Sequence, residues 1–527
     1  CSFLDHHHAA VLGGSVNFEV EMSMNYLQGQ HILILGLGAS GLAMARWCAF
    51  AGADVTVADT REAPANLSIL QSELPQVRWV SGKFAASLVE GTNIRAVFAS
   101  PGLAPVETAP VLDAAKGLGL WTGGELTLFA DALDKLKATR DYKPHVLAIT
   151  GTNGKTTVTS LTGQLIERAG KTVKVAGNIG PTLLDTLHSC LDTELPEVWV
   201  LELSSFQLNN AGPFEPSAAT VLNVTQDHLD WHGDMAAYAA AKQNIFGEQT
   251  LMFLNRDDAR VMAMLPEPIR AKLQKPIVRE HITYGASMPE RPGDFGLETV
   301  NGMTWLVRAL ESDETRRLRK GEVEEIHIQR LMPADALRIR GRHNAVNALA
   351  ALALASSTGC SLASMLFGLR EYKGEPHRVE PVAIVNDIEY FDDSKGTNVG
   401  ATVAALVGLG SERRVVVILG GDGKGQDFSP LAEPVTRYAR AVVLMGRDAA
   451  IIREEIQSSG VPMVDASTLP EAVKAAKDLA QAGDAVLLSP ACASFDMFRD
   501  YAHRAQVFCQ AVAEIAEAAG QVMEASL

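Results

Sequence analysis

His145-Val-Leu-Ala-Ile149-Thr150-Gly151-Thr152-Asn153-Gly154-Lys155-Thr156-Thr157 is the stretch that decides how this chain folds. An apolar, β-branched run ends in a glycine turn, and a helical pattern follows from Val158 to Ala169. Strand, turn and helix in that order are the unit of a parallel α/β layer. Glycines let backbone N–H groups wrap an anion, and the helix N-terminus adds partial positive charge. Lys155 can reach the outer phosphates of ATP, and the Thr156 hydroxyl can ligate Mg²⁺. The spacing departs from the general phosphate loop. Counting back from Gly154, the first glycine of that pattern falls on Ile149, and Gly151 comes late.

The same grammar recurs on both sides. Toward the N-terminus, the strand His31-Ile-Leu-Ile-Leu35 runs into Gly36-Leu-Gly38-Ala-Ser40-Gly41 and a helix, and a second strand ends at Asp59. Read alone, this turn suits NAD(P), a nucleotide-linked substrate, or tight strand–helix packing. Toward the C-terminus, Arg414–Leu419, Ala441–Met445 and Ala485–Leu488 are buried-strand runs that end in Gly, Ser or Pro turns. Ligands sit at such strand ends in doubly wound sheets. The expected fold is α/β in three domains: Rossmann-like, P-loop-type ATPase and Rossmann-like. The boundaries are expected at 24–118, 119–374 and 375–527, with an irregular insertion at about 286–335 that holds a charge run. Residues 1–23, which start with Cys1 and contain His6-His7-His8, read as a tag or non-native leader.

Composition narrows the class. The 527 residues carry a formal net charge of −16, which argues against broad nucleic-acid or anionic-membrane binding. Six cysteines without a C-x-x-C pair fit a reducing compartment, so a cytoplasmic location is expected. No apolar run reaches the roughly 18 residues of a membrane span, so no membrane insertion is expected.

Other strand ends carry reactive side chains. Glu202, in Glu202-Leu-Ser-Ser-Phe-Gln207, closes a strand, and a carboxylate there can ligate Mg²⁺. Asp227-His228-Leu-Asp230 offers ligands for a second metal, although a buried structural His reads equally well. Lys242 lies in a helical stretch and by itself reads as a solvated face. Asn344 and Asn347 sit at helical spacing, suited to an adenine edge or to N-capping. Phe391-Asp-Asp-Ser-Lys-Gly-Thr-Asn398 packs two carboxylates, a Lys and hydroxyls into one turn.

In chain order, GTNGKTT, ELSSFQL, NVTQDHLD, YAAAK, GRHNAVNALAA, GEPHRVE, FDDSKGTN, LGGDGKG and SPACASFD resemble the Mur ligase family of ATP-dependent amide-forming enzymes. The resemblance runs from about 25 to about 515. It implies a UDP-binding first domain, a central ATPase and an amino-acid-binding third domain, in a chain that acts as a monomer. The implied reaction phosphorylates the carboxylate of UDP-N-acetylmuramoyl-L-alanine, and the D-glutamate amine then attacks the acyl phosphate, in peptidoglycan precursor synthesis. Gly151, Thr152, Asn153, Gly154, Lys155, Thr156 and Thr157 would hold ATP, with Asn344, Asn347, Arg378 and Asp393 on adenine, phosphate and ribose. Thr156 and Glu202 would hold one Mg²⁺, and His228 would sit at a second. Lys242 matches a lysine that the family carbamylates. Gly38, Ser40, Asp59, Thr60, Arg61, Ser100, Gly102 and Asn178 would face the UDP-linked substrate, and Thr397, Lys424, Ser494 and the backbone near Tyr501 would face D-glutamate.

Other readings explain less. A nicotinamide-dependent oxidoreductase leaves the turn at Gly151 without a use, and a nucleotide-gated binding module leaves Glu202, His228 and Lys242 without one. A sister ligase that adds another amino acid shares the three-domain plan. Gly36–Gly41 with Asp59, and the absence of an Asn-Pro-Arg signature, argue against a diamino-acid ligase.

Overall fold

A computed structural model describes residues 24–521 apart from 65, 179–180, 226–231, 313–314, 316–324, 340 and 411–412. Packing groups the described residues into two compact units. The first takes the described residues within Cys1–Thr150, Gly170–Thr220 and Ala237–Leu251, and the second those within Gly151–Ala169, Val221–Ala236 and Met252–Leu527. The helices that bear on the site are α1 (Ala39–Phe50), α2 (Pro105–Gly117), α3 (Glu125–Arg140), α4 (Lys155–Arg168), α5 (Leu183–Leu191), α6 (Met235–Gln243), α7 (Arg342–Ser356), α8 (Leu362–Glu371), α9 (Val399–Gly410) and α10 (Tyr501–Ala518).

In the first unit, β1 (His31–Leu35), β2 (Asp54–Asp59), β3 (Arg78–Ser81), β4 (Ala96–Ala99) and β5 (Trp121–Gly123) form a parallel sheet in the order β3-β2-β1-β4-β5. β1 is buried from Ile32 to Leu35, as expected of a central strand covered on both faces. Strand order reverses at β1, so Gly36–Gly41 opens at a topological switch point, where α/β sheets bind ligands. β6 (His145–Thr150), β7 (Val173–Gly177), β8 (Val198–Glu202) and β9 (Ala218–Val221) run in the order β9-β6-β8-β7. The register sets Ile149 and Gly177 each beside Glu202, so all three share one sheet edge.

In the second unit, β10 (Leu251–Asn255) pairs in parallel with β11 (His281–Tyr284). β12 (Phe295–Val300), β13 (Met303–Glu311) and β14 (Ile326–Pro333) form an antiparallel sheet. The expectation of an irregular insertion at 286–335 is therefore corrected. Phe295, Leu297, Leu306 and Met332 are buried on one side of the sheet and Val307 and Ala309 on the other, and the charge run in the sequence obscured that pattern. The C-terminal sheet, β15-β16-β20-β17-β18-β19, joins β15 (Glu380–Val385) antiparallel to β16 (Ile388–Asp392). β17 (Val415–Gly420), β18 (Ala439–Met445), β19 (Met463–Asp465) and β20 (Ala485–Leu488) continue it in parallel. Pro381 sits in β15, where an edge strand tolerates a missing N–H. α4 packs closely on α8, because a Cβ on Gly368 would lie 2.7 Å from Leu165 Cδ2.

Candidate active site

The turn after β6 is held open by its own backbone. Gly151 has φ +156° and Gly154 has φ +85°, conformations that L side chains rarely adopt. Asn223 fastens the loop: its carbonyl accepts from Thr152 N–H at 3.1 Å, and its Oδ1 accepts from Asn153 N–H at 2.8 Å. Thr152 Oγ1 donates to Thr225 O at 3.1 Å. Lys155 curls back over the loop and donates to Gly151 O at 2.6 Å and Thr152 O at 3.3 Å. Its ammonium therefore stands at the start of α4. Thr156 is half-buried, and Thr157 is buried with its hydroxyl unpartnered.

Beside the loop lies a pocket lined by Asn153, Gly154, His343, Asn347, Arg378 and Asp393, among others. Five of these are residues that the sequence nominates for ATP, and His343 is one that it does not. Asn344 is buried and accepts from Asn347 Nδ2 at 3.2 Å, which orients the outer amide. Burial and then the charge of Arg378 push the His343 imidazole down to about 4, so it is neutral at physiological pH. Burial raises the Asp393 carboxyl to about 7, although Arg378 and bonds from Ser489 Oγ and Val379 N–H oppose the rise. His343 Nδ1 and Arg378 Nε are buried without hydrogen-bond partners. Buried polar atoms are rarely left so, and a polar ligand in the pocket would supply what they lack.

The first unit carries a second group of candidate residues. Glu202 is 2% exposed at the end of β8. Leu203 N–H donates to Ile149 O at 2.9 Å, and Asn178 N–H donates to Glu202 O at 2.7 Å. Asn178 itself is exposed. Lys242 is 1% exposed, with Nζ 3.4 Å from Thr150 Oγ1 and 4.7 Å from the Tyr238 ring centroid. This is not the solvated face that a lone helical lysine suggests. His228 lies outside the described residues.

The Gly36–Gly41 turn is built differently. A Cβ on Gly41 would meet Gly36 O at 1.9 Å, whereas one on Gly38 would meet nothing within 4 Å. Gly41 is required by packing, whereas Gly38 borders open space. Ser40 is half-buried. Ser100 Oγ donates to Gly36 O at 3.2 Å. Asp59 is buried and accepts from Leu37 N–H at 2.9 Å, Arg61 N–H at 2.9 Å and Arg61 Nη2 at 2.8 Å. Burial alone would raise this carboxyl, but the Arg61 and Leu37 bonds outweigh it and hold the group down at about 2. Thr60, Arg61 and Gly102 are exposed.

In the C-terminal sheet, Thr397 is half-buried, Ser494 is buried, and Lys424 is exposed at φ +50°. One residue that sequence reasoning missed joins the loops of Thr397 and Ser494. Arg504, 1% exposed on α10, donates through Nη2 to Ser394 O at 2.6 Å, through Nε to Ser394 Oγ at 3.0 Å, and through Nη1 to Cys492 O at 3.0 Å. Ser394 Oγ in turn donates to Tyr501 O at 2.6 Å. Burial lowers the guanidinium to about 10, so it stays charged. The signal was an arginine on the same face as Ala505 and Phe508. His377 was missed as well; its Nδ1 is 2.8 Å from Asp392 Oδ2, and its N–H donates to Glu380 at 2.9 Å.

Comparison with known proteins gives these residues a family. The Mur ligase middle domain matches residues 149–355, the Mur ligase glutamate ligase domain matches 377–492, and the MurD-like N-terminal domain matches 30–121. A UDP-N-acetylmuramoylalanine–D-glutamate ligase of Albidiferax ferrireducens is 68% identical, covering 95% of this chain and 99% of its own. The protein of that name from a Polaromonas species is 59% identical, over 95% of this chain and 100% of its own. Among solved structures, a MurF ligase of Thermotoga maritima in complex with ADP shares the fold. Its TM-score is 0.52 at 14% identity, covering 94% of this chain and 97% of its own. With three successive domain matches and these relatives, the chain belongs to the Mur ligase family.

Proposed function

We propose that this chain is the ATP-dependent ligase that joins D-glutamate to UDP-N-acetylmuramoyl-L-alanine in peptidoglycan precursor synthesis. Its relatives at 56–68% identity carry that name. The observation that carries the reading is the pocket beside the Gly151–Thr156 turn, where two buried polar atoms lack partners and five ATP candidates converge. A carboxylate resists amines until one oxygen becomes a leaving group. ATP supplies that group as phosphate, the amine nitrogen displaces it, and ADP and phosphate are released. Mg²⁺, when bound, offsets the charge of the transferring phosphoryl group.

The proposed roles follow the sequence reading. Lys155 and the loop N–H groups hold the outer phosphates, Asn344 and Asn347 the adenine, and Arg378 and Asp393 phosphate and ribose. Thr156, Glu202, His228 and Lys242 are the proposed metal-side groups. Gly38, Ser40, Asp59, Thr60, Arg61, Ser100, Gly102 and Asn178 take the UDP-linked substrate, and Thr397, Lys424, Ser494 and the Tyr501 backbone take D-glutamate. The proposed domains are 24–118, 119–374 and 375–527, and the three matched segments support this division. A cytoplasmic site of action suits nucleotide-linked substrates. No described helix is long and apolar enough to cross a membrane.

Carbamylation of Lys242 is part of the proposal. Once the ammonium has given up a proton, addition of CO₂ to the free amine, with loss of a second proton, turns a buried cation into an anion. Its burial supports this, because removing an ammonium from water carries a desolvation cost. Phosphate release should require UDP-N-acetylmuramoyl-L-alanine and D-glutamate together. Lys242→Ala should lose that release and partly regain it with short-chain carboxylates. Equal release with L-alanine or a diamino acid overturns the assignment, and a fully active Lys242→Ala enzyme overturns the carbamate.

A further inference from the structure

One buried acid stands outside every role assigned above. Glu125 opens α3 and is 3% exposed. Its Oε1 accepts from Leu183 N–H at 3.2 Å, and its Oε2 is buried with no partner. Leu183 is the first residue of α5, whose leading N–H groups have no acceptor within the helix. Thr182, the N-cap, takes the N–H of Asp185 at 3.4 Å and leaves that of Leu183 to Glu125. An unpaired buried carboxyl oxygen is unfavourable, so filling space does not explain an acid here. An apolar side chain would pack at lower cost.

The held helix start has a use. α5 begins directly after the turn that contains Asn178. The near end of that turn is fixed to β8, because Asn178 N–H donates to Glu202 O at 2.7 Å. Pro181 O accepts from Gly177 N–H at 3.0 Å. The far end is held at Leu183 by Glu125. Asn178 and Leu183 are thus each held through a backbone N–H by a separate element, β8 and α3.

We propose that Glu125 is a positioning residue for the UDP-linked substrate, acting through the start of α5 to hold Asn178 in place. This rests on the reading of Asn178 as a substrate contact. The test compares Glu125→Gln, Glu125→Met and Asn178→Ala in the full-length enzyme. A glutamine oxygen can keep the Leu183 bond, so Glu125→Gln should keep every KM within about twofold. Glu125→Met should raise the KM for UDP-N-acetylmuramoyl-L-alanine roughly tenfold, the effect of a single lost contact, and leave those for ATP and D-glutamate unchanged. If Glu125→Met does not fold, Glu125→Ser makes the same comparison. In the Asn178→Ala background, removing Glu125 should add nothing. The proposal falls if the folded Glu125 variant keeps its KM for the UDP-linked substrate, if all three KM values rise together, or if Glu125→Gln behaves like Glu125→Met. If Asn178→Ala alone leaves that KM unchanged, the assignment of Asn178 fails instead.

Discussion

The two glycine turns, Gly36–Gly41 and Gly151–Thr156, share one grammar of strand, glycines and helix, yet the structure equips them differently. In the first, Leu37 N–H is taken by the carboxylate of Asp59, which pairs with Arg61. A phosphate there would meet a negative group already in place. In the second, Thr152 and Asn153 N–H groups go to the neutral carbonyl and amide of Asn223, and a lysine ammonium lies over the loop. That arrangement leaves net positive charge where an anion would come. A glycine pattern thus says that the backbone can approach something closely. The groups around it decide whether that something is a phosphate, a base or sugar edge, or the protein itself.

The sharpest way to break the contrast is to remove its cation. Lys155→Ala should cut phosphate release by about 10³-fold, the scale for losing one preorganised charge in a reacting site, while the melting temperature stays near that of the wild type. A folded mutant with near-normal release would erase the distinction between the turns. A second test works on packing in the first turn. Gly41→Ala should cost about 3 kcal/mol or more, because overpacking at a backbone contact cannot relax. Gly38→Ala should be nearly neutral in stability and act only on the KM for the UDP-linked substrate. Chemical denaturation of both variants checks this, and equal destabilisation would show that Gly38 is a packing residue too.

The smallest effect is in pH. Asp393 beside the second turn has its carboxyl raised to about 7, so it gains a proton as pH falls through neutrality and, in the role proposed for it, becomes a weaker, uncharged acceptor for a ribose hydroxyl. The KM for ATP should rise a few-fold between pH 8 and 6. Asp59 is held near 2, below the usual carboxylate value, so it remains ionised and its stabilising bonds persist down to about pH 4. Binding of the UDP-linked substrate should therefore stay flat over the window in which ATP binding weakens. Parallel titration of both KM values separates the turns, and a common pH dependence would join them.

Much of this was legible because it is local. β1, β6, β17 and β20 fall where apolar runs end in glycine or proline turns, and Gly151 and Glu202 are marked by their place at strand ends and Lys155 by its place at a helix start. The β12–β14 sheet was not legible, because its apolar alternation is short and a charged run interrupts the reading. Arg504 and Glu125 were not legible either. A charged residue on an apolar helix face can snorkel to solvent, and only the neighbouring chain decides that it does not.

The sequence by itself determined the α/β layers, the two glycine turns and the family, because strand period, turn chemistry and motif spacing are written within a few residues of one another. Only the tertiary structure decided that Lys242 is buried. It also decided that Asn153, Asn347, Arg378 and Asp393 share one pocket, and that Asp59 and Asp393 titrate on opposite sides of an ordinary carboxylate. The physical reason is that burial and charge environment are set by segments far apart in the chain. The desolvation they impose on a side chain has no counterpart in its near sequence.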